Sequence, residues 1–366
     1  MQIRAAVFRD DTLRPNFETL TMASPDPGEV LVRIVAAGVC HTDMKAGGPG
    51  SPVPRPVVLG HEGAGVVEAV GAGVTKVAPG DHVVMTFGSC GRCRSCEEAE
   101  PAYCHHALSL TFGCKRPDGS TYLRAADGAP VFGDFFQQSS FATHAMGRER
   151  NVVKVRKDAP LELLGPLGCG VQTGAGAILN DLRLKPGRSL AVFGVGALGL
   201  SAIMAARIAG ASRIVAIDRH QNRLDLAREL GAHVSICAGD APVKEQVLAA
   251  IPGGADYALD TTGVLTVMRQ ALDCLAVRGE CAFVTSPWDG SELSISVRSL
   301  LHGRKVRGVI EGNSNPDVFI PQLVDFFMDG RFPFDRLVKF YPFEQMEQAF
   351  HDSEEGLTVK PVLRMA

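Results

Sequence analysis

The six residues Gly194-Val195-Gly196-Ala197-Leu198-Gly199 constrain the fold of this chain more than any other feature. The pattern G-x-G-x-x-G is weak alone, because glycine-rich hexapeptides arise by chance. Its setting carries the weight: the apolar residues 190–193 read as a strand entering it, and residues 197–209 read as a helix leaving it. A helix starting there aims free backbone N–H groups at one point, where a pyrophosphate is held. Asp218 ends the next apolar run, 19 residues past Gly199, in position to accept hydrogen bonds from the adenosine ribose. Its charge repels a 2′-phosphate, so NAD is expected over NADP, with Arg219 beside it weakening the preference.

Apolar runs at 189–193, 213–217, 233–236, 257–259, 281–285 and 306–310 alternate with longer segments patterned like helices. Such alternation predicts a parallel sheet of the doubly wound, Rossmann type. The first half reads differently. Residues 29–39 form a strand pattern, and 57–84 alternate Val-rich runs with glycines and the turn Pro79-Gly80-Asp81, so this part is mainly β. At 366 residues the chain exceeds one ordinary core. The expected organisation is α/β: a mainly-β catalytic domain over 1–170, a dinucleotide-binding domain over 171–310, and a segment over 311–366, helix-like at 321–328, that returns to the first domain.

Residues 189–206 are uncharged and nearly long enough to span a bilayer, but Gly194, Gly196 and Gly199 break the run into a strand and a helix. The formal charge of −3 gives no reason to expect nucleic acid or an anionic membrane as partner. The N-terminal ten residues carry Arg4, Arg9 and Asp10 and lack the apolar stretch of a secretory signal, so a cytoplasmic protein is expected. Ten cysteines in a reducing compartment point to metal binding before disulfides.

Cys90, Cys93, Cys96 and Cys104 are spaced C-x2-C-x2-C-x7-C. One short loop can wrap these four sulfurs around an ion, which suits tetrahedral zinc in a closed, structural site. The alternatives are an iron–sulfur cluster, disfavoured because the fourth cysteine is close by and no proline follows it, and unliganded thiols. Cys40 ends a strand, His61 follows Gly60, and Cys169 lies between Gly168 and Gly170. A Cys2His set leaves one position of a zinc ion open, as catalytic sites require. Each residue alone also fits a blander role, since buried cysteines usually act as small hydrophobes.

The segments Gly38-Val39-Cys40-His41-Thr42-Asp43, Gly60-His61-Glu62-Gly63-Ala64-Gly65, Gly80-Asp81-His82-Val83, the four-cysteine loop and Gly168-Cys169-Gly170 resemble, in order, the zinc-containing medium-chain alcohol dehydrogenases. The likeness spans essentially the whole chain. Residues 166–174, 139–143, 311–314 and 360–364 are most similar to bacterial aryl- or benzyl-alcohol dehydrogenases, while glutathione-dependent formaldehyde dehydrogenases share several of these strings. The resemblance implies a GroES-like catalytic domain, two zinc ions per chain, NAD, and oxidation of a primary, aromatic or allylic alcohol to the aldehyde. A homodimer or homotetramer follows from it too, with 306–310 as a candidate edge strand. A noncatalytic zinc- and nucleotide-binding protein is the reading from another class, and it would show a lost ligand or relay hydroxyl.

Carried over residue by residue, the resemblance makes Cys40, His61 and Cys169 the catalytic ligands and Glu62 a transient fourth. Asp43 orients His61, and Thr42 is the hydroxyl that relays the alcohol proton. His41 and Lys360 fall near the pyrophosphate and Arg223 near the adenosine ribose. Phe87, Phe135 and Phe136 line the substrate pocket, unless they are ordinary core aromatics. One departure stands out: Lys45 occupies the position where some relatives carry a relay histidine.

Overall fold

The protein is described by a computed structural model that covers residues 1–239, 242–287 and 290–365. The chain divides into two compact units, Met1–Cys169 with Asn315–Met328 and Asp335–Ala366, and Gly170–Ser314 with Asp329–Phe334.

The second unit is built on a six-stranded parallel sheet. Its strands run in the spatial order Val234–Cys237, Arg213–Asp218, Ser189–Phe193, Ala255–Asp260, Leu275–Phe283 and Lys305–Gly308. Strand order therefore reverses beside Ser189–Phe193, the switch point where doubly wound sheets bind dinucleotides. All five residues of that strand are buried, as an inner parallel strand demands. The uncharged run 189–206 resolves into this strand, the glycine turn and the helix Ala197–Ile208. Among the described residues no helix is long and apolar enough to cross a membrane.

Two differences from the sequence reading have physical causes. The strand Leu275–Phe283 begins six residues before the expected 281. Arg278 at φ +63° and a register shift opposite Ala255 and Tyr257 interrupt its alternation, so the apolar pattern is legible only at its end. The second unit extends to Ser314 rather than 310. The turn Glu311–Asn313 packs against the helix Gly170–Gly176, where a Cβ on Gly312 would stand 2.5 Å from the Gln172 carbonyl oxygen.

The first unit is mainly β. Its seven-stranded sheet runs Val152–Lys154, His82–Met85, Gly63–Val70, Glu29–Gly38, Lys360–Arg364 and Val338–Pro342, with His144–Arg148 also pairing Glu29–Gly38. A five-stranded sheet is formed by Val57–Val58, Gln2–Phe8, Asn16–Met22, Leu123–Arg124 and Pro130–Val131. The C-terminal strand lies antiparallel to Glu29–Gly38, with Val362 opposite Gly38. That pairing closes the discontinuous domain and brings Lys360 beside the strand end that leads to Cys40.

Glycines set how closely the loops at this strand end approach one another. Gly60 has φ +94°, and a Cβ there would lie 2.5 Å from the Phe141 backbone nitrogen and 2.7 Å from its ring. Gly60→Ala combines a left-handed strain with a backbone clash, neither of which a side-chain rotation relieves. The expected loss is about 2 kcal/mol, or roughly 5 °C in melting temperature. A variant melting with the wild type would show that the His61 loop is not held as described.

Candidate active site

Cys40 leaves the strand Glu29–Gly38 and caps the short helix His41–Gly47. Asp43, in the first turn of that helix, is completely buried. Its Oδ2 accepts the Cys40 backbone N–H at 3.0 Å, and its Oδ1 accepts the Gly60 backbone N–H at 3.2 Å. The same Oδ1 lies 2.7 Å from His61 Nδ1. One carboxylate thus ties together two loops distant in sequence. Because the carboxylate is an acceptor, Nδ1 carries a proton and Nε2 is left to hold a second proton or a metal.

That nitrogen supplies the test for a metal. His61 Nε2 is buried and has no hydrogen-bond partner within the described chain, an arrangement that costs energy unless another group pairs with it. Ligand atoms of Cys40, His61, Glu62 and Cys169 all lie within 4.8 Å of one another. Two sulfurs, an imidazole nitrogen and a carboxylate around one point form a donor set that suits zinc. The electrostatics agree. Contact with Cys169 and with His61 outweighs burial and holds the Cys40 thiol well below its ordinary value. Burial disfavours a charged His61, yet Asp43 and Cys40 together raise it well above its ordinary value. A cation at Nε2 would take the place of that proton.

Glu62 points to Lys360, whose buried ammonium donates to both carboxylate oxygens at 2.9 and 3.0 Å and to the Val39 carbonyl at 3.0 Å. Burial pushes the Glu62 carboxyl up to about 7 against the pull of Lys360. Gly38 makes room for this pair, since a Cβ there would stand 2.0 Å from Glu62 Oε2.

The four-cysteine loop forms a second cluster, its sulfurs all within 4.8 Å. Cys93 to Cys96 is 3.5 Å, Cys93 to Cys104 is 3.9 Å and Cys90 to Cys96 is 4.0 Å. A tetrahedron with Zn–S bonds of about 2.3 Å has edges of about 3.8 Å, so the loop already has the required size. Backbone N–H groups of Cys90, His105 and His106 point at the sulfurs from 3.3 to 3.5 Å. The His105 and Cys96 amides pull the Cys93 thiol down to about 6, whereas burial pushes Cys104 up to about 12. Four thiolates at these distances need a cation before all can be charged.

In the glycine turn, each glycine has a different reason. Gly194 has φ +85°, and a Cβ would meet Thr261 Oγ1 at 2.6 Å. A Cβ on Gly199 would lie 2.0 Å from the Gly194 carbonyl oxygen, so helix and strand touch there. A Cβ on Gly196 would meet nothing within 4 Å, so this side of the turn is open to a ligand. Gly196 also caps the helix without a side chain, leaving the N–H groups of Ala197, Leu198 and Gly199 for an anion. Asp218 accepts the Val195 N–H at 2.7 Å and the His220 N–H at 2.9 Å, which leaves lone pairs for further donors. Arg223 is half-buried and its Nε has no hydrogen-bond partner. These residues fit a dinucleotide.

Residues 26–157 match the alcohol dehydrogenase GroES-like domain and residues 197–328 the zinc-binding dehydrogenase domain. Across 98% of its length the chain is 46% identical to a geraniol dehydrogenase of Castellaniella defragrans, 97% of which is aligned. The chain belongs to the zinc-containing medium-chain alcohol dehydrogenases. A solved alcohol dehydrogenase zinc-binding domain protein from Burkholderia ambifaria is 51% identical to it, with a TM-score of 0.99 over 100% of this chain and 99% of that one. Benzyl alcohol dehydrogenase from Acinetobacter calcoaceticus is 43% identical, with a TM-score of 0.97 over 100% of both chains.

In this alcohol dehydrogenase Thr42 is half-buried on the helix His41–Gly47, while His41 and Lys45 are exposed. Phe136 stacks on His61 with ring centres 4.2 Å apart. Phe135 has no exposed surface and meets Phe136 edge-on at 4.9 Å, so it backs Phe136 instead of facing a cavity. Phe87 is buried, and it lies with Thr75, Lys76 and Asn315 around a separate polar cleft. The sequence reading overlooked Phe112, on the helix Ala107–Phe112, whose ring lies 6.0 Å from Phe136. An apolar residue in a short helix after a cysteine loop gave no signal of that contact.

Replacing Asp218→Ala is expected to raise the Kd for NAD about tenfold, the scale of one lost charged hydrogen bond, and to narrow the preference over NADP. Titration of both dinucleotides checks it. An unchanged ratio of the two constants would remove Asp218 from cofactor selection.

Proposed function

We propose that this chain oxidises a primary alcohol bearing an allylic or aromatic group to its aldehyde, and catalyses the reverse, with NAD as the hydride carrier. The observation that carries this reading is the buried, unpartnered Nε2 of His61 among the sulfurs of Cys40 and Cys169. Zinc held by these three residues would supply Lewis acidity that lowers an alcohol's pKa. Asp43 fixes the imidazole so that its free nitrogen faces the two sulfurs. Thr42 receives the alcohol proton and passes it on, with Lys45 marking a different exit from relatives that use a histidine there. Lys360 pairs with Glu62, which serves as a transient fourth ligand when no substrate is bound. The turn 194–199 takes the pyrophosphate, and Asp218 and Arg223 take the adenosine ribose.

The aromatic contacts support the substrate class. Phe136, stacked on His61 and flanked by Phe112 and Phe135, places aromatic rings beside the proposed ligand set, surroundings that suit an unsaturated carbon framework. The geraniol and benzyl alcohol of the relatives' names share an unsaturated carbon beside the carbinol carbon. We place the protein in the cytoplasm, with one structural zinc in the four-cysteine loop. The strand Lys305–Gly308 lies at an edge of its sheet and suits assembly into a homodimer or homotetramer.

The test is a panel of benzylic, allylic and saturated alcohols with NAD and NADP, with and without glutathione, repeated on Thr42→Val. Unsaturated primary alcohols with NAD are expected to lead. Thr42→Val is expected to lower kcat by about 100-fold, in the range of a lost proton-transfer group. Equal turnover of saturated alcohols would remove the substrate class, a glutathione requirement would replace it, and full activity of Thr42→Val across pH would remove the relay.

A further inference from the structure

One of the three ligands proposed for the catalytic ion, Cys169, stands on a backbone segment that Asp43 does not reach. Asp43 reaches Cys40, Gly60 and the His61 ring, but not the Gly168-Cys169 loop. That loop is pinned elsewhere. Thr86, completely buried, donates its hydroxyl to the Gly168 carbonyl oxygen at 2.7 Å, one residue before Cys169. Gly168 lies so close to this strand that a Cβ would stand 2.1 Å from the Met85 carbonyl oxygen.

The Thr86 backbone carbonyl continues the connection. It accepts from the side-chain amide of Gln138 at 3.2 Å, and the same nitrogen donates to the carbonyl of His61 itself at 2.9 Å. Gln138 Oε1 accepts the Gly63 N–H at 3.2 Å, so one buried amide brackets the segment His61-Glu62-Gly63. Asn151, also buried, donates to the Thr86 carbonyl at 3.2 Å and accepts the Thr86 N–H on its backbone carbonyl at 2.9 Å. Every one of these bonds lies outside the regular strand ladders. They end on the backbone of one ligand and on the residue adjoining another.

We infer that Thr86 and Gln138 are positioning residues of the catalytic metal site, setting the distance between the His61 and Cys169 backbones as Asp43 sets that between Cys40 and His61. The inference rests on the reading of Cys40, His61 and Cys169 as one ligand set. Its physical basis is that a buried carbonyl stripped of its donor must shift to find another. A shift of the Gly168 carbonyl rotates the next peptide and moves the Cys169 sulfur. Partners that orient metal ligands from behind typically change metal affinity 10- to 100-fold when removed.

The test compares Thr86→Val, Thr86→Ser and Gln138→Met in the intact holoenzyme. Zinc release to a chromogenic chelator is followed, together with the visible ligand-field spectrum of the cobalt-loaded enzyme. Thr86→Val keeps the shape and loses the donor, and Thr86→Ser restores it. The expected result is release of one of two ions at least about tenfold faster in Thr86→Val and Gln138→Met. The cobalt bands of the Cys2His site shift with it, the four-cysteine ion is unaffected, and Thr86→Ser stays near the parent. Parental release and spectra in both Thr86→Val and Gln138→Met would overturn the inference, as would a Thr86→Ser defect equal to that of Thr86→Val. A parent enzyme that shows only the four-sulfur ion would instead overturn the ligand set itself. If Thr86→Val fails to fold, Gln138→Met, which leaves Thr86 in place, decides the matter.

Discussion

The buried carboxylate of Asp43 is the contact from which the loops of Cys40 and His61 are organised. It satisfies two backbone N–H groups and one imidazole N–H, and these belong to the two loops that carry Cys40 and His61. A charge buried this completely is stable only when its lone pairs are occupied, so the loops and the carboxylate require each other. The result is an imidazole whose remaining nitrogen has one direction. A ligand fixed in this way meets a metal without reorganising, which is what a Lewis-acid site needs.

Close packing of backbone does the rest. Gly38, Gly60, Gly165 and Gly168 occupy positions where a Cβ would come within 2.0 to 2.5 Å of Glu62, Phe141, the Glu62 carbonyl and the Met85 carbonyl respectively. Side chains at those positions would separate the loops by more than the few ångströms that a shared ion tolerates. The Glu62–Lys360 pair adds a link from the C-terminal strand, so the return of the chain to its first unit also completes the charge balance beside Cys40. Distant parts of the sequence therefore meet for reasons that are separately visible: carboxylate to amide, glycine to backbone, ammonium to carboxylate.

How much of this the sequence disclosed follows from how local each feature is. The turn 194–199 and the four-cysteine loop are continuous, so their spacing alone reports the geometry that the structure displays. Cys40, His61 and Cys169 are not: their strand-end and glycine settings suggested a Cys2His set, each residue also fitting a blander role, and resemblance to a family strengthened the grouping before the fold brought them together. The strand Leu275–Phe283 was half hidden because a left-handed Arg278 breaks its alternation. Phe135 read as a pocket wall or an ordinary core aromatic and has no exposed face, since sequence marks a ring as apolar without saying which side is covered. Thr86 and Gln138 gave no sign at all. Their importance lies in which carbonyls they reach, and those carbonyls are 77 residues away for Gln138 and 82 for Thr86.

Anomalous diffraction from crystals of the purified active enzyme, recorded on either side of the zinc absorption edge, tests the central claim most directly. The account predicts two zinc peaks per chain, one inside the four-cysteine loop and one within bonding distance of Cys40 Sγ, His61 Nε2 and Cys169 Sγ. A fully active enzyme with a single peak, confined to the four-cysteine loop, would contradict it.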